Sequence, residues 1–328
     1  MKHNREQRWR RRAGATTALF AASTGVVSMA HVPMANAAAP LPVGESWYMD
    51  SVTSAQSYNL GCWFGNQVLS EPGTQYVTSI LVFGQAEFTG GVVGTAYAGA
   101  SGYGAHYSPD TIQSLAWNFA SGFYNCTGSD TASRLVLIMS TTNDGSDSLL
   151  GSNAVLHGQG WGENVQSTSN LVAGAAAGSQ VDVWGGNDIE PDWSSSYTAN
   201  QWVYGYRAGT SITFAPGNAA SGCPQTGTDV ASSPCNNGWT VDSLWAVSGQ
   251  SWMQPIPQTY YSNNVEQWYR ISKYSATTKG WKVFFRNSAS TSIGYSANNA
   301  FDAFNNKINS DPSTAMTLGG DSNVLYAN

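Results

Sequence analysis

The chain has 328 residues, of which 41% are hydrophobic, 12% aromatic and only 10% charged, with 14 Lys and Arg against 20 Asp and Glu for a net charge of −6. Six of the basic residues, Lys2, Arg5, Arg8, Arg10, Arg11 and Arg12, fall in the first twelve positions with one acid, Glu6, so the remaining 8 basic and 19 acidic residues leave the rest of the chain near −11. That balance, with no later Lys/Arg cluster, repels phosphate backbones and argues against a nucleic-acid partner, while polarity carried by Ser, Thr, Asn, Gln and Gly suits neutral glycans.

The basic head leads into the apolar run Ala13 to Ala30 and then Ala35-Asn36-Ala37. This is the order of a charged head, a greasy middle and an A-x-A cleavage site, so residues 1–37 read as an export signal and 38–328 as one secreted, extracellular domain. Arg10-Arg11-Arg12 raises the twin-arginine route, although the hydrophobic residue that usually follows the pair is missing. No later segment approaches the ~18 uninterrupted apolar residues of a membrane helix, so no span is expected after signal removal.

Short apolar runs bounded by turn residues predict eight strands: Tyr58 to Trp63, Ser79 to Phe83, Arg134 to Met139, Gln180 to Trp184, Ser211 to Ala215, Leu244 to Val247, Ile256 to Tyr260 and Lys282 to Phe285. Helical patterns lie between several of them. Ser108-Pro109 caps one that carries Ile112, Leu115, Ala116, Phe119 and Phe123 inward, Thr198 to Ala208 turns Trp202 and Tyr206 inward, Ser262 or Asn263 opens a third through Ile271, and Ala297, Phe301, Phe304 and Ile308 mark the last. Strands alternating with amphipathic helices over about 290 residues predict an α/β fold, a (β/α)8 TIM barrel, with an open doubly wound sheet as the rival. Only Ser248 to Pro255 separates the sixth and seventh runs, which implies a degenerate sixth helix.

Four cysteines remain in an oxidising compartment, and four allow three pairings. Cys223 and Cys235 enclose a Gly/Ser/Thr/Pro-rich loop and make the local pair, which leaves Cys62 with Cys126. No C-x-x-C occurs and only His106 and His157 lie beyond the signal, so no metal site is expected. Nor is a cofactor, because no P-loop, dinucleotide fingerprint or G-x-S-x-G elbow stands in the right context.

Function in such a barrel sits at the carboxyl ends of the strands. There the sequence places Gln85 and Glu87; Thr141, Asn143 and Asp144; Asn187-Asp188-Ile189-Glu190-Pro191-Asp192-Trp193; Asn218; Ser248 and Gln250; Gln258 and Tyr260; and Arg286-Asn287. Asp188-x-Glu190 is the sharpest element, since residues two apart on an extended strand project to one side. Two like charges held close push one pKa up, giving a proton donor beside an ionised partner, which is what acid cleavage of a glycoside requires. Glu190 is therefore the candidate general acid and Asp188 its partner, with Gln85, Glu87, Asn187, Trp193, Asn218, Gln258 and Tyr260 as candidate substrate contacts. Trp63, Trp184 and Trp252 also fall near run ends, where rings can stack on sugars. Asn143-Asp144-Gly145-Ser146-Asp147 reads as an Asx-rich turn, and His157 as a capping or surface residue.

Asp188-Ile189-Glu190 resembles the D-x-E of family 25 lysozyme-type glycoside hydrolases. The layout from Tyr58-Asn59-Leu60-Gly61-Cys62 through Leu81-Val82-Phe83-Gly84-Gln85 and Asn187 to Pro191 to Pro257-Gln258-Thr259-Tyr260 is similar to secreted actinobacterial proteins with a glycoside-hydrolase-like barrel. The first resemblance implies Glu190 as acid and Asp188 as its carboxylate neighbour. Those muramidases also place an aspartate at the end of the first strand, where the predicted first run here ends Cys62-Trp63-Phe64. Two functions follow as expectations: a secreted hydrolase of a cell-wall or environmental, N-acetylated glycan of polysaccharide or peptidoglycan type, or a catalytically silent barrel that binds glycan or serves as a surface interaction module.

Overall fold

The computed structural model describes residues 43–89, 92–96, 106–128, 130–227, 230–291 and 294–326; the predicted signal, residues 1–37, lies outside them. The fold is mixed α/β. Strand β1 (Val43–Tyr48) leads to helix α1 (Ser54–Ser70), the long strand β2 (Tyr76–Thr89), a hairpin of β3 (Val92–Ala96) and β4 (His106–Tyr107), and helix α2 (Pro109–Cys126). Strand β5 (Arg134–Thr142), helix α3 (Ala154–Ala173), strand β6 (Val181–Asp188) and helix α4 (Ser196–Gly209) follow. The short α5 (Val241–Ala246), then α6 (Ser262–Tyr274), β7 (Ser288–Ser290), α7 (Ala297–Asn309) and β8 (Asp321–Tyr326) complete it.

One eight-stranded sheet contains these strands, and β7, β8, β1, β2, β5 and β6 pair in that order with every partner parallel. Gly84, at φ +93°, lets β2 bend where its register with β5 shifts, so its lower half joins the parallel array and its upper half leaves to pair antiparallel with β3. Two extended segments lie between β6 and β7. Ala215 N donates to Gly185 O at 2.8 Å and Gly217 N to Asn187 O at 3.0 Å, and Gln254 N, Ile256 N and Gln258 N reach Phe214 O, Pro216 O and Asn218 O at 2.8–3.0 Å. Ala289 N donates to Pro257 O, and Thr259 N to Ala289 O, each at 3.0 Å.

The sheet buries both faces. One carries the large core against the helices, including Trp47, Phe64, Phe119, Trp161, Trp202 and Phe214; the other a small cluster of Ile80, Val82, Val136, Ile138, Ala215, Ile256 and Ala289. Helices pack closely in pairs because glycine lets backbones meet. A Cβ on Gly61 of α1 would lie 2.0 Å from Phe119 O of α2, and one on Gly158 of α3 would lie 2.0 Å from Trp202 O of α4. Cys62–Cys126 staples the first pair and Cys223–Cys235 closes the loop before α5, so both expected disulfides form.

The predicted helices stand, with Ser108 capping α2 through Thr111 N and Ser195 capping α4 through Thr198 N. Three predicted strands fail. Tyr58 to Trp63 lies inside α1 and Leu244 to Val247 ends α5, since a short apolar run reads alike as a strand or as the buried stripe of a helix. Lys282 to Phe285 is irregular and the strand follows it at Ser288–Ser290. Ser211 to Ala215 and Ile256 to Tyr260 hold only isolated parallel bridges, at Phe214 and Gln258. The short Ser248 to Pro255 gap therefore joins a helix to an extended segment and is no missing crossover. The pattern also missed the hairpin strands β3 and β4 and the strands β1 and β8, of which the last two are short and rich in polar residues.

Candidate functional site

β6 ends at Asp188, and the chain continues extended through Ile189 to Glu190, so both carboxylates point to one side. Gln258 meets them there. Its Nε2 lies 2.9 Å from Asp188 Oδ1, 3.0 Å from Glu190 Oε1 and 3.2 Å from Gly217 O. The two carboxylate oxygens are thus at most 5.9 Å apart, the sum of 2.9 and 3.0 Å. A carboxamide nitrogen has two hydrogens for these three acceptors, so the charge of the pair is only partly offset.

Asn143 fixes the backbone of Glu190 from both sides, accepting from Glu190 N at 2.9 Å and donating to Glu190 O at 3.0 Å and Ser194 Oγ at 2.7 Å. Asn218, fully buried, accepts from Ile189 N at 3.2 Å and donates to Ser248 Oγ at 2.6 Å. In the turn after β5, Asp144 accepts from Gln85 Nε2 at 2.6 Å, and Asp147 receives both the N and the Oγ of Ser195, the cap of α4.

Burial raises the Asp188 pKa well above the usual carboxylate range, and the nearby Glu190 charge adds to it. Burial also raises Glu190, against the Gln258 hydrogen bond, and Asp192 and Asp144 push the same way. No Lys or Arg contacts either carboxylate among the described residues. Arg286 instead stacks over Trp184 at 5.5 Å and donates to Thr78, and Arg207 lies over Trp252 at 5.2 Å. A cavity of ≈ 30 Å³ adjoins Asp188, lined by it, Gln258 and Tyr260 with Ser46, Tyr48 and Ser140.

The remaining sequence candidates scatter. Glu87 sits on the β2 extension with His106 Nδ1 at 2.9 Å, Asn187 is buried with its Oδ1 unpartnered, and Trp193 is half-buried in the turn below Glu190, donating N–H to Glu190 O at 3.1 Å. Trp63 packs edge-on against Trp47, and Trp252 stacks on Tyr206. His157 corrects the surface reading: it is fully buried, accepts from Trp202 Nε1 at 2.8 Å and meets Gly94 O at 2.8 Å, which ties α3 to α4 and the hairpin. Desolvation holds it neutral, with its pKa lowered to about 4.

The first-strand correction changes another expectation. β1 ends at Tyr48 and is followed by Met49-Asp50, so an aspartate does stand just past the first strand. Ser46 and Tyr48, which line the cavity beside Asp188, are absent from the sequence candidates because the apolar pattern puts the first strand inside α1. Among the described residues no group of three or more His, Cys, Asp or Glu is placed to hold a metal ion, and no helix is long and apolar enough to cross a membrane. No protein-family model matches the chain, and comparison with curated proteins finds no match.

Proposed function

We propose that this is an exported glycoside hydrolase of (β/α)8 architecture, acting on a cell-wall or environmental glycan built of amino sugars, with Glu190 as the general acid and Asp188 as its partner. The observation that carries the reading is the shared Gln258 nitrogen, which holds two buried carboxylates of raised pKa within 5.9 Å of each other at the end of a parallel strand. Retaining glycosidases space their carboxyl groups by about 5–5.5 Å and inverting ones by about 6.5–9.5 Å, so the spacing favours the retaining class or help from a substrate group. The parallel bonds from β6 through residues 213–219 and 253–259 to β7 support a ring of eight strands. In that ring the reduced crossover is the fifth, held by six-residue α5, and not the sixth. Two disulfides and the A-x-A segment support export.

In the first step Glu190 gives its proton to the leaving glycosidic oxygen. Burial keeps it protonated near neutral pH, and the Asn143 clamp holds its backbone so that the donor does not swing away. Burial and the Glu190 charge raise Asp188 as well, so the pair shares a proton; in the active form that proton sits on Glu190 and the Asp188 carboxylate stabilises positive charge developing on the sugar ring. Glu190→Gln tests this: turnover of peptidoglycan or chitin-type polymer should fall about 100-fold or more with binding nearly intact, because a proton donor is replaced by an amide of like size. An unchanged rate would remove Glu190 from the mechanism.

The cavity beside the pair is lined by Asp188, Gln258 and Tyr260 and not by Glu190, the proposed proton donor, which favours a second reading, a silent glycan-binding module. It expects no turnover in the parent protein and retention on a glycan that weakens in Trp193→Ala.

A further inference from the structure

The carboxylate pair has acceptors to spare. Gln258 reaches Asp188 Oδ1 and Glu190 Oε1, whereas Asp188 Oδ2 and Glu190 Oε2 accept no hydrogen bond among the described residues. Asp188 is only 8% exposed and lines the cavity, so its free oxygen can be satisfied only by what enters there. Asp144 and Asp192 stand close enough to act on the Glu190 charge, each held by an amide, Gln85 at 2.6 Å and Asn236 at 2.9 Å. Four carboxyl groups thus gather with no cation among them. All eight Lys and Arg beyond the first twelve residues lie in the described residues and are engaged elsewhere, for example Lys273 with Asp311, Lys279 with Asp242 and Lys307 with Glu266.

From this geometry we infer that the pair receives a protonated amino group, and that the glycan taken by this site is a polymer of hexosamine with unacetylated nitrogens. The inference rests on the reading of the site as a glycan site and deepens it. An ammonium group brings three donors and a positive charge to the free Asp188 oxygen in the cavity and to the acidic groups gathered about Glu190. An acetamido group brings one donor, a carbonyl oxygen that the carboxylates repel, and a methyl group. Uronate or phosphate-bearing polymers meet the same repulsion from Asp144 and Asp192.

Calorimetric titration of the full secreted protein with glucosamine hexamer and N-acetylglucosamine hexamer at pH 7 tests it. The glucosamine oligomer should bind at least about tenfold more tightly, with a preference that shrinks in ~0.5 M salt. Asp188→Asn should abolish the preference, and Asp192→Asn, an exposed change that leaves the core untouched, should reduce it by roughly two- to threefold. Equal affinity, or preference for the acetylated oligomer, overturns the inference and leaves Glu190 hydrolysis standing. Spermidine binding as tightly as the oligomer overturns the glycan part, since the site would then read ammonium alone. Failure of both oligomers to bind overturns this inference and the glycan reading together, whereas tight glucosamine binding without turnover supports it and removes only hydrolysis.

Discussion

Two carboxylate pairs, each with one buried and one partly buried member, lie in or at the end of the sheet strands and are satisfied in different ways. At the end of β6, Asp188 and Glu190 divide one amide nitrogen from Gln258, a second oxygen of each accepts no hydrogen bond among the described residues, and Asp188 lines a cavity. Among β1, β7 and β8, the Asp321 carboxylate accepts from the hydroxyls of both Ser288 and Ser290, and Glu45 accepts from Asn323 Nδ2 at 3.3 Å. Burial raises all four pKa values, Glu45 to about 7 and Asp321 to about 6. Burial alone therefore does not mark a catalytic group. The difference lies in donors: Asp321 is fully buried with a donor on each oxygen, a structural arrangement, while the Asp188 and Glu190 pair is left short of donors where a ligand can approach.

The change that breaks the comparison most is Gln258→Leu. It removes the donor shared by both site carboxylates, and at pH 8, above the Glu190 pKa of about 7, stability should fall by about 3 kcal/mol, the cost of leaving a buried charge without its hydrogen bond. At pH 4 both groups are protonated and no charge is stranded, so the stability loss read from urea unfolding should shrink below about 1 kcal/mol. A loss equal at both pH values would mean that Gln258 acts by packing alone.

Asp321→Asn sharpens the contrast from the other side. A carboxyl whose folded pKa is raised keeps its proton in the native state after the unfolded chain has released it, so it lowers stability as pH rises from about 4 toward the folded value near 6 and has no further effect above that. A shift of about two units corresponds to about 3 kcal/mol, and the variant should lose that part of the pH 4 to 6 decline. Its glycan turnover should stay within about twofold of the parent. An undiminished slope would place the raised acid elsewhere.

Glu87→Gln carries the smallest effect. The pair with His106 is on the solvent side, so stability should change by less than about 0.5 kcal/mol and turnover by less than about twofold. A large drop in rate would bring the β2 extension into the site.

Much of the site was legible because its chemistry is local. Asp188 and Glu190 are two residues apart on an extended segment, and that spacing alone puts them on one side. Asn143 and Asp144 appeared as polar residues at a strand end, but the spacing of an Asx-rich turn does not say that one would clamp Glu190 across 47 residues and the other meet Gln85 across 59. His157 misled because a lone histidine in a polar helix gives no sign of a buried partner such as Trp202.

The division follows the range of the interaction. Sequence by itself determined the helix start at Ser108, where a cap needs only three residues of chain, the pairing of Cys223 with Cys235 across twelve, and the common side of the D-x-E carboxylates. Only the tertiary structure decided that Tyr58 to Trp63 is helix, because Gly61 and Gly65, poor helix formers in isolation, are the points where α1 touches the backbone of α2. It alone decided that Gln258 stands between Asp188 and Glu190, since that contact joins residues about 70 apart, and only the parallel register of residues 185, 214, 253 and 258 brings them together. Capping and alternation depend on the next few residues, whereas register between parallel strands depends on how whole helices pack across the connection, and no short window of sequence contains that packing.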